Sequence, residues 1–465
     1  MNLYNERVAV LGLGVENRPL LSFLIKKGAR VTVCDKDKEA IKQIAPIDLA
    51  KIAEVRLGSD YLENLADFRI IFRTPGIPLS TPALVRAQKH GVIISSATRL
   101  FFQMCPAKII GITGTKGKGT TAALIHSILQ LKIKEEKLKI KSWLAGNIGT
   151  PMISILEKIQ HDDFVILELS SFQLQDLDKS PHIAVVLNIT SDHLDYHRSN
   201  REYIRSKEKI VAYQKKSDYS IINMDYLRAY RFAALTAAKV FWFSRRQSVD
   251  QGCFVKYDDN HYYFVLRIHN QDKIIADDSV VHLRGGHNLE NICAASLADY
   301  LAGAKISTIR KGISLFQPLE HRLEFVAQKN GIGFYNDSYS TTPQTTIAAI
   351  QSFEGPLILI CGGRSKGGDY RQLVKAILKK PPKSVILIGE IAKEMEKELK
   401  GSKSFKGTIK NLQFANMDKI VQTAYKEAEI GDTVLFSPGA ASFDMFCNAT
   451  ERGKMFKNAV LKLKE

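Results

Sequence analysis

Residues 107–121 read AKIIGITGTKGKGTT, and the helical pattern AALIHSILQL follows at 122–131. An apolar strand, a glycine-rich turn and a helix, in this order, predict a phosphate-binding loop, because backbone N–H groups and the helix N-terminus together hold an anion. The turn GTKGK at 114–118 supplies the glycines and a lysine that can reach terminal phosphates. The alternative is a simple glycine turn beside a basic residue.

This loop departs from the Walker A pattern, which has four residues between its first glycine and the Gly-Lys pair, and then Ser or Thr. Five residues separate Gly111 from the Gly-Lys pair at 117–118, and Gly119 follows the lysine. Pattern matching alone therefore leaves open where the metal-binding hydroxyl lies.

Two further segments carry candidate ligands at strand ends. Glu168 ends the apolar run FVILE, and a carboxylate there, near a phosphate loop, is the usual position of a magnesium ligand; a solvated strand end is the alternative. NITSDHLD at 188–195 indicates either a metal or phosphate site at Asp192 and His193, or a structural cap. Lys207 lies in the helical stretch YIRSKEKI, where a lysine is by default a solvent-facing charge.

The N-terminal stretch predicts a β-α-β unit. VAVLGLG at 8–14 is followed by a helical pattern and by ARVTVCD, which ends at Asp35. GLGVEN at 12–17 reads G-x-G-x-x-N, with Asn17 in place of the third glycine. This weak signal fits a dinucleotide in a dehydrogenase or the pyrophosphate of a UDP-sugar.

The strand and helix patterns predict an α/β protein of three domains. We expect a Rossmann-like N-terminal domain at 1–103 and a Rossmann-like C-terminal domain at 317–465. Between them, at 104–316, we expect a P-loop ATPase-like domain with a parallel sheet. The short pieces YSIIN, KVFWFS and HYYFVLRIH add small strands to this central domain.

Composition excludes several classes of protein. The chain has 465 residues and no apolar run near the roughly 18–20 residues of a membrane span, and its start lacks a signal-peptide pattern. Six scattered cysteines without a C-x-x-C pair predict reduced thiols, not disulfides or zinc ligands. The net charge of +18 is spread along the chain, which favours an anionic substrate over nucleic acid.

Taken together, these stretches resemble the Mur ligase family, ATP-dependent amide-bond ligases of peptidoglycan precursor synthesis. The third-domain pieces and LELSSFQL are most similar to the branch that joins D-glutamate to UDP-N-acetylmuramoyl-L-alanine. The matching pieces, in order along nearly the whole chain, are GITGTKGKGTT (111–121), AGNIG (145–149), LELSSFQL (167–174), NITSDHLD (188–195), YIRSKEKI (203–210), GGHNLEN (285–291), HRLE (321–324), NDS (336–338), GGRSKGG (362–368) and LFSPGAASFDMF (435–446).

The resemblance implies an ATP and metal site. Lys118 would hold the β- and γ-phosphates, and Lys207 would be carbamylated, which makes it an anionic oxygen ligand. The implied metal is Mg²⁺, with Mn²⁺ as the alternative. The implied catalytic residues are Lys118, His193 and Lys207, and the implied metal ligands are Thr120, Glu168, His193 and Lys207. The implied ATP-binding residues are Gly114, Thr115, Lys116, Gly117, Lys118, Gly119, Thr120, Thr121, Asn288, Asn291, Arg322 and Asp337.

The resemblance also implies the substrate contacts, and a cytoplasmic enzyme that we expect to be a monomer without membrane insertion or nucleic-acid binding. The implied UDP-pocket residues are Gly14, Val15, Glu16, Asp35, Thr74, Pro75 and Gly76. Asn147 and His193 would approach the muramoyl-alanine end. The implied D-glutamate residues are Thr341, Lys366, Ser442 and Phe443. Sites divided between the second and third domains imply domain closure during the cycle.

Three positions depart from the family pattern. Gly119 stands where Ser or Thr is usual, so that Thr120 is the best substitute in a cradle counted from Gly114. Lys116 replaces Asn or His and adds positive charge. Tyr339 stands where the D-glutamate branch often has Lys, and a phenol cannot replace an ammonium as a charge partner.

Two other classes stay open at this point. A folylpolyglutamate-synthetase-like or other Mur-type ligase would share the central domain, although the folate branch begins at the phosphate loop and lacks the first domain. A non-catalytic or nucleic-acid-binding P-loop protein would use the +18 charge, and would leave Glu168, His193 and Lys207 without a role.

Overall fold

The computed structural model describes residues 3–147, 149–190, 199–259, 261–365, 369–402 and 404–464. Within these ranges the chain forms three β-sheets with flanking helices and divides into two compact units. One unit runs to Val281 and also contains Leu289–Phe316; the other contains His282–Asn288 and the chain from Gln317 onward. The α/β class is confirmed, and the three domain boundaries stay predictions.

The first sheet is Rossmann-like, as predicted. Its strands are β1 (Arg7–Leu11), β2 (Arg30–Asp35), β3 (Glu54–Leu57), β4 (Ile70–Arg73) and β5 (Ile93–Ser95), and its helices are α1 (Asn17–Lys26), α2 (Pro46–Leu49), α3 (Pro82–Lys89) and α4 (Ala97–Met104). The described strands are all parallel, in the order β3-β2-β1-β4-β5. Loops that follow β1 and β4 therefore meet at the carboxyl edge, where such sheets bind ligands.

The second sheet carries the phosphate loop near its middle. Its strands are β6 (Lys108–Thr113), β7 (Ser142–Gly146), β8 (Phe164–Glu168), β9 (Ile183–Val186), β10 (Tyr219–Asn223), β11 (Lys239–Ser244), β12 (Gly252–Asp258), β13 (His261–Ile268) and β14 (Gln271–Asp277). Helices in this part of the chain are α5 (Lys118–Glu135), α6 (Ser171–Leu174), α7 (Asn200–Ala212), α8 (Leu227–Tyr230), α9 (Gly286–Leu301) and α10 (Ile306–Leu315).

The order of this sheet is β14-β13-β12-β11-β10-β9-β6-β8-β7. Neighbours from β7 to β12 are parallel, whereas β12, β13 and β14 pair antiparallel. This confirms a parallel sheet extended by small strands. Because β6 lies between β8 and β9, the ends of those two strands flank the loop that follows β6.

The third sheet forms the core of the second unit. Its strands are β15 (Glu324–Lys329), β16 (Ile332–Asn336), β17 (Leu357–Gly362), β18 (Ser384–Ile388), β19 (Thr408–Gln413) and β20 (Thr433–Phe436), and its helices are α11 (Pro343–Gln351), α12 (Tyr370–Lys379), α13 (Ala392–Lys400), α14 (Met417–Glu427) and α15 (Ala449–Leu461). The order is β15-β16-β20-β17-β18-β19, with β15 antiparallel. Separate apolar clusters cover its two faces, as expected for a parallel sheet between helical layers.

The first and second sheets share one hydrophobic core. A single cluster of buried side chains includes Leu24 of α1, Phe101 of α4 and Leu156 of the short 3₁₀ segment Met152–Lys158. Further 3₁₀ segments are Lys38–Gln43, Leu65–Asp67, Arg231–Leu235 and Asp278–Val280. Shared apolar burial explains why these two sheets form one compact unit. Among the described residues, no helix has both the length and the apolar sequence needed to cross a bilayer.

Candidate active site

The loop between β6 and α5 is held as a tight turn. Gly117 has φ +89°, and a Cβ there would lie 2.3 Å from Asn291 Oδ1, so only glycine fits. The Thr115 and Lys116 N–H groups donate to the Asn188 backbone carbonyl at 2.7 Å and its Oδ1 at 2.9 Å. The turn leads directly into the 18-residue helix α5. The first N–H groups of this helix have no partner within the helix and can bind an anion.

The first turn of α5 contains two threonine hydroxyls that are candidates for metal binding. Thr121 Oγ1 is buried and donates to Asn291 Oδ1 at 3.2 Å. Thr120 Oγ1, by contrast, makes no hydrogen bond within the described ranges, and Gly119 is buried in the same turn. The Lys118 ammonium lies at the loop, where it donates to the carbonyls of Gly114 at 3.1 Å and Thr115 at 3.2 Å. Thr120 therefore remains the candidate for metal binding.

Lys207 is buried, and the expectation from charge patterning that it faces solvent is wrong. Its side chain is 1% exposed, and Nζ donates to Thr113 Oγ1 at 3.2 Å and to the Gly114 carbonyl at 3.1 Å. The ammonium also lies 4.9 Å from the centroid of the Tyr203 ring. Tyr203, Lys207 and Ile210 have the i, i+4, i+7 spacing of a buried helix face. The position of this lysine on an otherwise apolar helix face was the feature of the sequence that indicated its burial.

Glu168 has an unsatisfied oxygen. The residue is 4% exposed, its Oε1 accepts from Asn147 Nδ2 at 3.2 Å, and its Oε2 is buried without a partner among the described residues. Because buried carboxylate oxygens are normally paired and Mg²⁺ prefers oxygen ligands, this atom fits a metal site. Thr113 Oγ1 donates to the Leu169 carbonyl at 3.0 Å, so the hydroxyl that contacts Lys207 also fixes the end of β8.

The predicted metal ligand His193 and its neighbour Asp192 lie outside the described residues. Within the described part of the chain, no group of three His, Cys, Asp or Glu side chains is arranged to hold a metal ion. The fit of this site to Mg²⁺ therefore rests on the Glu168 oxygen.

Sequence reasoning missed Glu290, which adjoins Asn291 in α9. Its buried carboxylate accepts from Arg245 Nε at 2.7 Å, Asn223 Nδ2 at 3.1 Å and Tyr226 Oη at 3.2 Å. Burial raises the Glu290 pKa, against the hydrogen bond from Arg245. The contacts fix α9 against the ends of β10 and β11 and so hold Asn291 at the phosphate loop. An acidic residue near a helix start is common, so nothing in the sequence distinguished Glu290. The predicted ATP-binding residue Asn288 donates from Nδ2 to the Arg284 carbonyl at 2.7 Å.

The glycine loop of the first sheet is built around Asp35. Its carboxylate accepts from the Leu13 N–H at 2.6 Å and the Asp37 N–H at 2.8 Å. Asn17, at the position of the third glycine, donates from Nδ2 to the Gly12 carbonyl at 2.9 Å and the Leu11 carbonyl at 3.1 Å. These two hydrogen bonds from the Asn17 amide hold the glycine loop in its turn. They explain why Asn stands where the dinucleotide pattern has its third glycine.

The turn at 74–76 adjoins this glycine loop. The Thr74 N–H donates to the Leu11 carbonyl at 2.8 Å, while Gly14 and Val15 are exposed at the loop surface. Glu16 Oε1 accepts from Gln173 Nε2 at 2.5 Å, and burial raises its pKa. The structure therefore brings the predicted UDP-pocket residues of the first sheet together and adds Gln173, which sequence reasoning did not assign.

In the second unit, Asp337 is buried and accepts from the Ser340 hydroxyl, from Ser437 Oγ at 2.8 Å and from the Leu323 N–H at 3.2 Å. Burial raises its pKa to about 6. Arg322 Cζ lies 5.5 Å from the centroid of the Tyr339 ring.

Among the predicted D-glutamate residues, Ser442 is buried, Phe443 is exposed and Thr341 is half-buried, whereas Lys366 lies outside the described residues.

Arg452 is a further residue that sequence reasoning missed. Its buried guanidinium donates to the Ser338 carbonyl at 2.7 Å, Ser338 Oγ at 3.1 Å and the Ala440 carbonyl at 3.1 Å. Burial lowers its pKa to about 10. The side chain thus connects the NDS turn to the SPGAAS segment, which are remote in sequence. Nothing in the helical stretch ATERGKM distinguishes this arginine from a surface charge.

Comparison with known proteins identifies the family. Family models match residues 6–96 (Mur ligase MurD-like, N-terminal domain), 112–298 (Mur ligase middle domain) and 321–439 (Mur ligase, glutamate ligase domain). The chain belongs to the Mur ligase family. This confirms the predicted family, the α/β fold class and the class of ATP-dependent ligase.

Similar Mur ligases match over nearly their full length. The UDP-N-acetylmuramoylalanine–D-glutamate ligase of Acetivibrio thermocellus is 40% identical, with 98% of this chain and 96% of that protein covered. That of Ruminiclostridium cellulolyticum is 38% identical, with 99% and 97% covered. Among solved structures, MurC of Thermotoga maritima has a TM-score of 0.60 at 16% identity, covering 99% of this chain and all of that one. This last likeness supports the Mur ligase fold alone.

Proposed function

We propose that this Mur ligase joins D-glutamate to UDP-N-acetylmuramoyl-L-alanine at the expense of ATP, in cytoplasmic peptidoglycan precursor synthesis, and acts as a monomer. The observation that carries the proposal is the arrangement at one edge of the central sheet. A phosphate loop, a buried lysine and a buried carboxylate with an unsatisfied oxygen lie at the ends of β6 and β8. Full-length similarity to ligases of that name supports the substrate pair.

The reaction would proceed through an acyl phosphate. An oxygen of the L-alanine carboxylate attacks the γ-phosphorus of ATP, and ADP leaves. The D-glutamate amine then attacks the carbonyl carbon, and phosphate leaves from the tetrahedral intermediate. The loop N–H groups and Lys118 reduce the repulsion between the two anions of the first step, and an enclosed site protects the acyl phosphate from water.

Mg²⁺, when bound, would supply charge neutralisation between the two anions. Glu168 and Thr120 would hold it, together with His193 and Lys207. In this proposal the Lys207 amine combines with CO₂ and releases a proton, and the carbamate gives the site a second anionic ligand. A mass gain on the peptide that contains Lys207, lost after bicarbonate depletion, is the expected signature.

The substrates would occupy two further places. The UDP group would bind between the Asp35-centred glycine loop and the turn at 74–76, and the muramoyl-alanine end would approach Asn147. D-glutamate would bind residues of the second unit, including Ser442 and Thr341.

The test is phosphate release from ATP with Mg²⁺ and UDP-N-acetylmuramoyl-L-alanine against a panel of D- and L-amino acids. We expect release with D-glutamate and background release with the others. Lys118→Ala serves as the catalytically impaired control, because it removes the loop ammonium. Release with a different amino acid would move the substrate assignment, and no release despite ATP binding would overturn the proposal.

A further inference from the structure

Arg73 occupies an unusual position beside the turn at 74–76. It ends β4, its side chain is fully buried, and Nη1 donates to the Ile77 carbonyl at 2.7 Å. The same nitrogen lies 3.4 Å from the carbonyl oxygens of Thr74 and Pro75. One guanidinium therefore contacts the carbonyls of Thr74 and Pro75 within the turn and that of Ile77 directly after it.

The charge of Arg73 is balanced by a residue from the segment that connects β8 and β9 of the second sheet. Asp176 follows α6, and its Oδ1 accepts from Arg73 Nη2 at 2.8 Å and Nε at 3.2 Å. The Asp176 side chain is 2% exposed. A buried ion pair is retained only where its geometry and additional hydrogen bonds offset desolvation. Here the additional bonds are those to the turn.

The same contacts continue toward the phosphate site. Arg73 Nη2 donates to Gln175 Oε1 at 3.3 Å, and Gln175 Nε2 donates to Glu202 Oε1 at 3.1 Å. Glu202 lies in the first turn of α7, the helix that carries Lys207. A continuous set of hydrogen bonds therefore connects the turn of the first sheet with the lysine helix of the second.

We propose that Arg73 and Asp176 are positioning residues for the UDP-sugar substrate, which shape the turn at 74–76 and fix it relative to the ATP loop. This inference rests on the proposed function. A turn that is already ordered binds its ligand without the entropy cost of ordering.

The chain offers a matched control. Arg99 of α4 pairs with Asp178 at 2.7 Å and so also joins the first sheet's helices to the segment after α6. These side chains are 25% and 39% exposed, and Arg99 bonds to the Ile94 carbonyl instead of the turn at 74–76. Removing this pair therefore tests whether the loss of an ion pair between these two segments is by itself enough to disturb substrate binding.

The experiment compares Arg73→Met/Asp176→Leu with Arg99→Met/Asp178→Leu. Removing both charges of a pair avoids an unpaired buried charge. We expect the first double variant to raise the KM for UDP-N-acetylmuramoyl-L-alanine about tenfold or more, because the turn must then be ordered on binding, with the KM for ATP and kcat within about twofold. UDP affinity by calorimetry should fall by the same factor. The control should leave all four values near wild type.

Equal changes in both KM values and kcat, or the same KM rise in the control, would overturn the inference. If Arg73→Met/Asp176→Leu does not fold, Arg73→Lys takes its place; it keeps the charge but lacks the planar fork, and the same split is expected. UDP calorimetry needs no turnover. An inactive wild-type protein would therefore contradict the proposed function while the inference is still tested, and unchanged UDP affinity in an active enzyme would contradict the inference alone.

Discussion

Lys207 Nζ lies 3.1 Å from the carbonyl oxygen of Gly114, the first residue of the phosphate loop. The lysine comes from α7 and the loop from the turn after β6, so a helix remote in sequence completes the loop. Because Lys207 and Gly114 are both buried and in contact, a shift of α7 along its axis would move the lysine charge away from the phosphate loop. Substitutions of Lys207 and Glu168 test the chemistry of this site, and substitutions of Tyr339 and Asp337 test residues of the second unit.

Lys207→Met should reduce phosphate release by about 100-fold or more, because it removes the amine that would carry the anionic metal ligand of the proposed mechanism, while an unbranched apolar side chain keeps the packing. The matched control is Arg205→Met, an exposed position of the same helix, which should keep wild-type activity. The measurement is kcat with saturating substrates. Retained activity in Lys207→Met would remove this lysine from the mechanism.

Glu168→Gln should increase the Mg²⁺ concentration needed for half-maximal activity by about tenfold or more, because an amide is a weaker ligand than a carboxylate. The amide oxygen can still accept from Asn147, so the fold should be preserved. A Mg²⁺ titration of phosphate release measures the effect, with the exposed Asp162→Asn as the control. An unchanged titration would argue against Glu168 as a metal ligand.

Tyr339 should act through its ring. The ring lies under the Arg322 guanidinium, and its hydroxyl hydrogen bonds with Thr450 Oγ1 at 2.9 Å. Tyr339→Leu removes the cation–π contact, worth about 0.5–1 kcal/mol at an exposed site, and should raise the KM for ATP severalfold if Arg322 contacts the nucleotide. Tyr339→Phe keeps the ring and serves as the control. Equal KM values in the two variants would contradict a role of this ring contact in ATP binding.

Asp337 should make stability depend on pH. Burial raises its pKa from 3.8 to about 6, so the folded state binds the proton more tightly than the unfolded state. Its stabilising contribution is complete below pH 3.8, falls as pH rises through about 6, and amounts to roughly 3 kcal/mol at most. Asp337→Asn should abolish this fall. Unfolding free energies of both proteins between pH 4 and 7 measure it, and parallel curves would contradict the prediction.

Apolar runs and glycine turns were enough to predict the α/β class and the strands around the phosphate loop. These features are local: a buried strand needs consecutive apolar residues, and a turn with positive φ needs glycine, as at Gly117. The order of motifs likewise indicated the family, because one short motif matches easily by chance, whereas many matches in one order along the chain do not.

Tertiary structure alone decided which polar side chains are buried together. Arg73, Glu290 and Arg452 look like surface charges in the sequence, because a charge shows its burial only when a partner remote in the chain is brought to it. Asp176, Arg245 and the Ser338 carbonyl are those partners, and the packing of sheets and helices supplies them. Sequence by itself therefore determined the elements and the phosphate loop, while packing determined the ion pairs that hold the loops in place, since desolvation and pairing of charges depend on the whole fold.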